Sequence, residues 1–505
     1  MSASAPKAMS SESSRIVKTV FLALVLDLLA FTLPLPLFPR LIDYYTSQES
    51  SNPNSFLSRV LSLFRSFRSL ASNNQSSTLS SAAAGNKRWD VVLLGGALGS
   101  VFSLCQCIIS PSLGSLSDKY GRKPILLLTM LGNILSAFIW LKSTTFSIYL
   151  ISRLIGGLSE GNVQLSQAII SDVTTPETRS KSLALVGIAF SVCFTFGPSI
   201  GAYFASRSLP TTASPITPDK SSKPVLNVYA FPALVSLVLL CIETFYLYVS
   251  LPETRGYKSR VGLKDVPQGG PGEEQKKEEK EGGVKRESVE VRKERLRKLG
   301  RLHGLFLLFF SGAEFTLTFL TYDLFFATNK QNGMLLSYIG VLSSLLQGGF
   351  VRPRLSKHKT SELTFTRQGI YSCTVSLALM AILPLTGVRD SRWSSWVLYA
   401  IATGLSYTSA TAVTGMMGAA AACCDDVEDE ADQRGKLPRG KALGRFRSAG
   451  QLGRAIGPLL ATTTYWTQGP SVTYTIGALA LGTLAWSMGG MVSEEVRRKA
   501  ANKSR

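Results

Sequence analysis

Histidine is almost absent from this sequence, with two residues in 505. Charge is sparse as well: 17% of residues are Asp, Glu, Lys or Arg, against about 25% in soluble domains. The first shortage leaves little for zinc binding or histidine-based catalysis. The second argues against a string of soluble domains and, with 45% hydrophobic residues, excludes disorder throughout. The seven cysteines show no framework spacing and fix no redox compartment. Cys105 and Cys107, two apart on a helix, point to different faces in apolar surroundings, so they read as packing residues and no metal site is expected. Acid is scarce beside base, 33 Asp and Glu against 54 Lys and Arg, for a formal charge of +21. A nucleic-acid binder gathers such an excess on one face. Here it lies in short runs between long apolar segments, the pattern of a polytopic membrane protein, so the expected surroundings are a lipid bilayer and not nucleic acid.

An apolar stretch of about 20 residues, rising about 1.5 Å per residue, crosses a hydrocarbon core of roughly 30 Å. Cut by that length, the sequence holds twelve spans, at 16–38, 91–113, 124–141, 146–170, 182–204, 228–251, 304–326, 334–351, 369–386, 393–417, 444–466 and 471–491. The first lacks a cleavage site and reads as a retained span. Twelve spans put both termini on one side, and the basic loops after spans 2, 4, 8 and 12, such as Lys119, Arg122 and Lys123, assign that side to the cytoplasm. The expected fold is all-α, with twelve transmembrane helices in two pseudo-symmetric six-helix bundles. Its parts are a cytoplasmic tail 1–15, a first bundle 16–251 with a long external loop 40–90, a charged cytoplasmic linker 252–302, a second bundle 303–492 and a basic tail 493–505. Asn74 heads an N-glycosylation sequon on the expected outer side. Segment 287–301 reads as an amphipathic surface helix or a plain solvated linker, and Cys423-Cys424 is a juxtamembrane pair open to acylation. No address motif chooses between plasma membrane and endomembranes.

The halves look like repeats, since Gly197-Pro198 in span 5 is matched by Gly457-Pro458 in span 11. Two related six-span halves are the arrangement of a secondary transporter with a site between them. The segment Gly114-Ser115-Leu116-Ser117-Asp118-Lys119-Tyr120-Gly121-Arg122-Lys123 supplies glycines for close helix approach and a carboxylate beside cations at a helix junction. It resembles the G-x-L-x-D-x-x-G-R-[KR] loop of the major facilitator superfamily. Asp27 followed by Pro36 and Pro39, Arg153-Leu154-Ile155-Gly156-Gly157, and Gly197-Pro198-Ser199-Ile200-Gly201 are similar to motifs of its drug/proton antiporters. Cys193 stands where that last motif has a further glycine, which predicts a looser contact for span 5, and the loop after span 8 lacks the Asp and paired Gly, which predicts a one-sided latch. The resemblance implies alternating access, proton-coupled movement of small organic anions or drugs, no cofactor beyond the proton gradient, and function as a monomer. It also implies that Asp118 and Arg122, joined by Asp172, gate one end.

Ionisable groups in hydrocarbon cost about 2.5–3.5 kcal/mol each on insertion scales and persist where they face a cavity or one another. Asp27 and Arg153 lie at similar depth and are expected to pair across spans 1 and 4, with Asp27 loading the proton; Glu160, at i+7, is the alternative partner of Arg153. Glu314 is a second candidate for proton coupling. Asn162, Gln164 and Arg454 are expected to line the substrate cavity, Arg447 to reach the cytoplasmic edge, and His303 to sit there too. The pattern is that of a transporter and not an enzyme. A facilitative uniporter, to whose sugar carriers Pro252-Glu253-Thr254-Arg255 is similar, and a transport-inactive receptor or scaffold are the alternatives.

Overall fold

The structure, a computed structural model, describes residues 10–34, 37–49, 54–71, 79–205, 226–227, 229–257, 288–356, 361–386, 392–424 and 437–503. Asn74, Pro36, His358 and the acidic run 425–430 lie outside them. Among the described residues there is no strand. The helices are α1 (Ser11–Thr32), α2 (Phe38–Glu49), α3 (Phe56–Ala71), α4 (Leu79–Tyr120), α5 (Arg122–Lys142), α6 (Phe146–Ser159), α7 (Asn162–Val173), α8 (Pro176–Ala205) and α9 (Ala230–Ser250). After the linker come α10 (Val289–Phe325), α11 (Asn329–Leu345), a π-helical turn (Leu346–Val351), α12 (Arg352–Ser356), α13 (Glu362–Ile382), α14 (Arg392–Ala422), α15 (Arg439–Gln468), α16 (Pro470–Ser487) and α17 (Gly489–Lys503).

Eight segments are long and apolar enough to cross a membrane, on α4, α5, α8, α9, α10, α11 to α12, α13 and α16. The other four spans fall on α1, on α6 with α7, on α14 and on α15. Three of these carry the intramembrane charges Asp27, Arg153, Glu160, Arg447 and Arg454, and α14 is rich in Ser, Thr, Gly and Ala. The protein is thus an integral membrane protein of two six-helix bundles. In the first, α1 packs on α8 and α9, α5 on α6 and α9, and α4 on α6; in the second, α10 packs on α15 and α13 on α14 and α16. Two seams join them, α4 with α15 and α8 with α11, each pairing the second span of one half with the fifth of the other.

Close approach at the seams and within the halves depends on missing side chains. At the first seam a Cβ on Gly114 would meet the carbonyl of Gly440, and a Cβ on Gly440 the carbonyl of Gly114. Gly197 and Gly201 of α8 lie on Thr32 and the Leu33 carbonyl at the end of α1. The Thr32 hydroxyl donates to the Cys193 carbonyl at 3.1 Å, and the Cys193 thiol to the Val25 carbonyl at 3.3 Å. The contact expected to be loosened by Cys193 is therefore tight, because the thiol finds an acceptor on α1. Pro198 and Pro458 sit inside continuous helices, where a missing N–H frees one carbonyl of the preceding turn and leaves a point of easy bending.

Four local expectations change. The span 146–170 is two helices, because Glu160 (φ −74°, ψ 87°) and Gly161 (φ −115°, ψ −7°) leave the helical path. The Ser-rich external loop contains α2 and α3, and α4 begins well before residue 91. In α3 the apolar residues Leu57 and Leu61, one turn apart, are buried while Arg59 and Leu63 are exposed, so amphipathic spacing outweighs the serines. Asn227 donates to Tyr45 and to the Ser143 carbonyl, each at 2.7 Å, and Glu49 caps α6 by accepting from the Phe146 amide at 2.8 Å, which fixes α2 over the end of α5 and the start of α6. Residues 289–301 form the start of α10 and continue into its span. Cys423 and Cys424 are buried, so neither thiol is open to acylation.

Gly201→Ala places a methyl on the Leu33 carbonyl and is expected to destabilise the protein by about 1–3 kcal/mol. Gly99, whose added Cβ meets nothing within 4 Å, is the matched control, with Gly99→Ala expected within about 0.5 kcal/mol of wild type. Thermal unfolding in detergent separates the two.

Candidate functional site

The site begins where α4 ends. Tyr120 closes α4, Gly121 turns with φ +108°, and Arg122 opens α5. A side chain at Gly121 would be strained by that φ and would also strike the carboxylate of Glu253. Glu253 in turn accepts the free amides of Arg122 and Lys123 at 2.9 and 3.1 Å, capping α5. The Arg122 guanidinium is held by Asp118 at 2.8 Å, by the Ser117 hydroxyl at 2.7 Å and, through Nε, by Asp172 at 2.8 Å. Asp118 also accepts the backbone N–H groups of Gly440 and Lys441, at 2.9 and 2.8 Å, from the first turn of α15. Asp172 faces Arg439 at 3.4 Å. The structure therefore brings Gly114, Asp118, Gly121, Arg122 and Asp172 into one cluster that closes the basic end of the first seam. A second tie joins the halves beside the second seam, the Ser180 hydroxyl of α8 donating to Glu362 at the start of α13 at 2.5 Å. Closure is two-sided, through a residue outside the repeated loop.

Deeper in the first bundle a chamber of about 50 Å³ is lined by Asp27, Asn133, Trp140, Arg153, Glu160 and Ser236, among others. That volume admits one or two waters at about 30 Å³ each and falls far below the roughly 300 Å³ of the smaller organic-ligand pockets. It suits protons and water. Asp27 is 3% exposed and accepts from Asn162 Nδ2 at 2.8 Å; Glu160 accepts from Asn133 at 3.4 Å. No Asp27–Arg153 or Glu160–Arg153 ion pair forms. Arg153 instead lies over the rings of Tyr149 and Trp140, 5.5 and 5.8 Å from their centroids. The break at Glu160-Gly161 takes Glu160 off the helical path on which its i+7 pairing relied, and the two rings occupy the Arg153 guanidinium that matched depth alone had assigned to Asp27. The break also turns α7 inward: Asn162 and Gln164 are each 1% exposed. Asn162 is held by Asp27, Thr129 and Met130, and Gln164 donates to the Ser110 carbonyl at 2.8 Å. Neither faces open space in this conformation, contrary to the expectation for a cavity wall.

Between the halves the charges come from α10 and α15. Arg447 and Arg454 are half-buried, and Glu314 is exposed although it lies mid-span. A charge at that depth facing lipid is prohibitive, so these side chains face the space between the bundles. Arg454 is the cation whose field reaches Glu314, while Arg447 is within electrostatic reach of Glu160 and Asp27 across the interface. Arg447 does not reach the membrane edge as expected; its Nε is enclosed without a hydrogen-bond partner. His303, expected at that edge, is buried and stacked on Phe446 with ring centroids 4.5 Å apart. Sequence reading missed Glu243 on α9, 1% exposed, which faces both Asp27 and Glu160 electrostatically. The signal was present, an acid inside span 6 with no charge near it in sequence.

A sequence profile described as Major Facilitator Superfamily matches residues 20–427. The chain is 32% identical to "Major facilitator superfamily domain-containing protein 10" of Bos taurus, over 94% of this chain and 92% of the relative. It is 38% identical to "Tetracycline resistance protein, class H" of Pasteurella multocida over 21% of this chain and 26% of that protein. The crystal structure of the human organic anion transporter MFSD10 (TETRAN) superposes with a TM-score of 0.70 at 27% identity, covering 94% of this chain and 99% of the other.

Asp118→Asn removes the charge that holds the start of α15, and a charged hydrogen bond is worth roughly 1.5–3 kcal/mol, so the open state of this end is expected to gain ~10-fold or more in population. Cys107, half-buried at the first seam with its carbonyl accepting from the Ser448 hydroxyl at 2.7 Å, reports it. Its maleimide labelling, mapped by peptide to separate it from exposed Cys241, is expected to quicken; an unchanged rate rules out a gating role.

Proposed function

The chain belongs to the major facilitator superfamily, and we propose that it is a transporter of small amphipathic organic anions that works by alternating access and exchanges its substrate for protons. The observation that carries this reading is the division of charge between the halves. The first bundle encloses Asp27 and Glu160 around a chamber too small for an organic substrate, and the second presents Arg447 and Arg454 to the space between the bundles. Protons belong to the first and anions to the second. The likeness to the human organic anion transporter supports the substrate class, and the partial likeness to tetracycline resistance proteins supports exchange for protons.

In this reading the basic end faces the cytoplasm, and the structure is the state closed on that side. Ionised Asp27 and Glu160 attract Arg447 across the interface and help the Asp118 latch to hold the halves together. Protons entering from the far side neutralise the two acids, that attraction falls, and the closed end is left with the ties of Asp118, Asp172 and Glu362. The cytoplasmic end then opens, the protons leave, and an organic anion takes Arg454 and Arg447 as its counter-charges for the return. Glu314 beside Arg454 keeps the empty site from carrying two unbalanced cations. The protein acts as a monomer, since both proton and anion groups lie within one chain.

The test is flux in proteoliposomes with a trapped pH dye, challenged with amphipathic organic anions, cations and neutral drugs. An anion gradient is expected to drive protons the opposite way, and Asp27→Asn to abolish that proton movement. Arg454→Ala is expected to raise the half-saturating anion concentration ~10-fold, about 1.4 kcal/mol. Protons moving with the anion would overturn exchange, and substrate movement indifferent to both substitutions would leave a facilitative carrier.

A further inference from the structure

Glu243 lies on α9 at i+7 from Ser236 and i+3 from Leu240, and both of those residues line the acidic chamber. The spacing puts all three on one face of the helix. Ser236 anchors that face, its hydroxyl donating to the Ala30 carbonyl of α1 at 3.1 Å. Glu243 therefore stands one turn beyond the chamber, toward the basic end, with its side chain 1% exposed. Its Oε2 is enclosed without a hydrogen-bond partner.

The groups around it are identifiable by element. From α1 comes Asp27, and from the break between α6 and α7 comes Glu160; these two are the charges that reach Glu243. From α5 the chamber receives the Asn133 amide, already donated to Glu160, and on α8 the Cys193 thiol, bonded to the Val25 carbonyl, lies within electrostatic reach of Asp27. Arg153 lines the same chamber but rests on Trp140 and Tyr149, and Arg447 approaches Asp27 and Glu160 from the other bundle. Two of the three carboxylates thus have a hydrogen-bond donor and a distant cation. Glu243 has neither, and an ionised carboxylate so enclosed bears the full cost of desolvation. A purely structural role explains this poorly, since a buried Gln or Leu of similar size would pack without that cost.

We propose that Glu243 is a third proton-carrying residue of the first bundle, so that Asp27, Glu160 and Glu243 form one site whose protons are shared. Like charges in one enclosed space cannot all be ionised together, and such a set titrates as a unit. Glu243 then does what neither of the others can do alone. When Asp27 and Glu160 are ionised and face Arg447, it keeps a proton inside the bundle; when the halves part and Arg447 withdraws, it is the group that exchanges protons with them and passes protons toward the basic end. The inference rests on the proton-coupled reading above and extends it from a single acid to a relay.

Two measurements separate the inference from that reading. The first is the infrared pH-difference spectrum of the purified full-length protein in nanodiscs, in the region of the protonated carboxyl stretch. Glu243→Gln is expected to lose one component of that signal and Asp27→Asn a different one; a spectrum unchanged by Glu243→Gln overturns the proposal whether or not protons are transported. The second is the proton-to-substrate ratio in proteoliposomes. Glu243→Gln is expected to keep anion transport while lowering the ratio and flattening its pH dependence, and an unchanged ratio and profile likewise overturn it. Absence of proton flux in the wild type would instead count against the reading of function and leave the infrared result to decide on Glu243. Should Glu243→Gln fail to fold, Glu243→Asp retains the acid on a shorter arm and is expected to shift the pH midpoint of the infrared change; no shift overturns the relay.

Discussion

Two backbone amides at the start of α15, offered to the carboxylate of Asp118, are the contact on which the rest of the architecture turns. The first amides of a helix have no partner within it and carry the positive end of its dipole, so a carboxylate satisfies them without any side chain from α15. Such a contact is strong when aligned and is lost by a small rigid-body tilt, with no unfolding. Arg122 spreads its effect. One guanidinium joins Asp118 at the end of α4 to Asp172 at the end of α7, while Glu253 caps the helix that Arg122 begins. Four spans of the first bundle meet one end of a fifth helix from the second, and Gly114 against Gly440 sets how closely they do so. An alanine at either glycine would forbid that distance, so the latch depends on missing side chains as well as on the groups that bond.

The latch and the small-residue contacts were legible in the sequence because they are local. Asp118 and Arg122 are four apart across a single turn, and Gly197 and Gly201 share a face of one helix; spacing alone says which of these act together. The pairing of Asp27 with Arg153 was misread for the opposite reason. It rested on matched depth, which does not say which faces of spans 1 and 4 meet, and the alternative, Glu160 at i+7 from Arg153, required a helical phase that Glu160 and Gly161 break. A single glycine in an apolar run carries no such message, since glycine is common in membrane helices. The break also accounts for the burial of Asn162 and Gln164, which a continuous helix would have turned elsewhere. Glu243 was missed because apolar length dominates the reading of span 6, and its partners lie on α1 and at the break before α7, more than 80 positions away in the chain. The helices α2 and α3 were hidden by serine content, which describes composition and not the spacing of Leu57 and Leu61.

Charge distribution is more informative than charge count. Eight spans pass as apolar by length and composition, and Glu243 on α9 and Glu314 on α10 lie on two of them. Asp27, Arg153, Glu160, Arg447 and Arg454 all fall on spans that do not pass. Lipid makes this segregation costly to violate, since an ionised group at mid-depth is tolerated only against protein or water. The helices that bear charge are therefore drawn to the centre of each bundle or to the space between bundles. What they do there differs between the halves. In the first, polar amides and aromatic rings surround the charges, with Asn162 on Asp27 and Trp140 and Tyr149 under Arg153, leaving room only for water. In the second, Glu314 is exposed and Arg447 and Arg454 are half-buried, all three toward the space between the bundles.

This asymmetry has a mechanical consequence. A proton arriving at Asp27 or Glu160 changes the charge of the first bundle without touching the second, yet Arg447 belongs to the second and senses it across the interface. In the proposed proton-coupled cycle the force between the halves therefore depends on protonation. Because each bundle is packed internally at glycine-narrow distances, a change in force at the interface favours movement of the bundle as a body over local rearrangement, as the proposed cycle requires. The Asp118 latch and the Glu362 tie then set how large that change must be. In that cycle the ties of the closed end, two backbone amides on Asp118, one hydroxyl on Glu362 and the Arg439–Asp172 pair, are what the loss of two opposed charges must overcome.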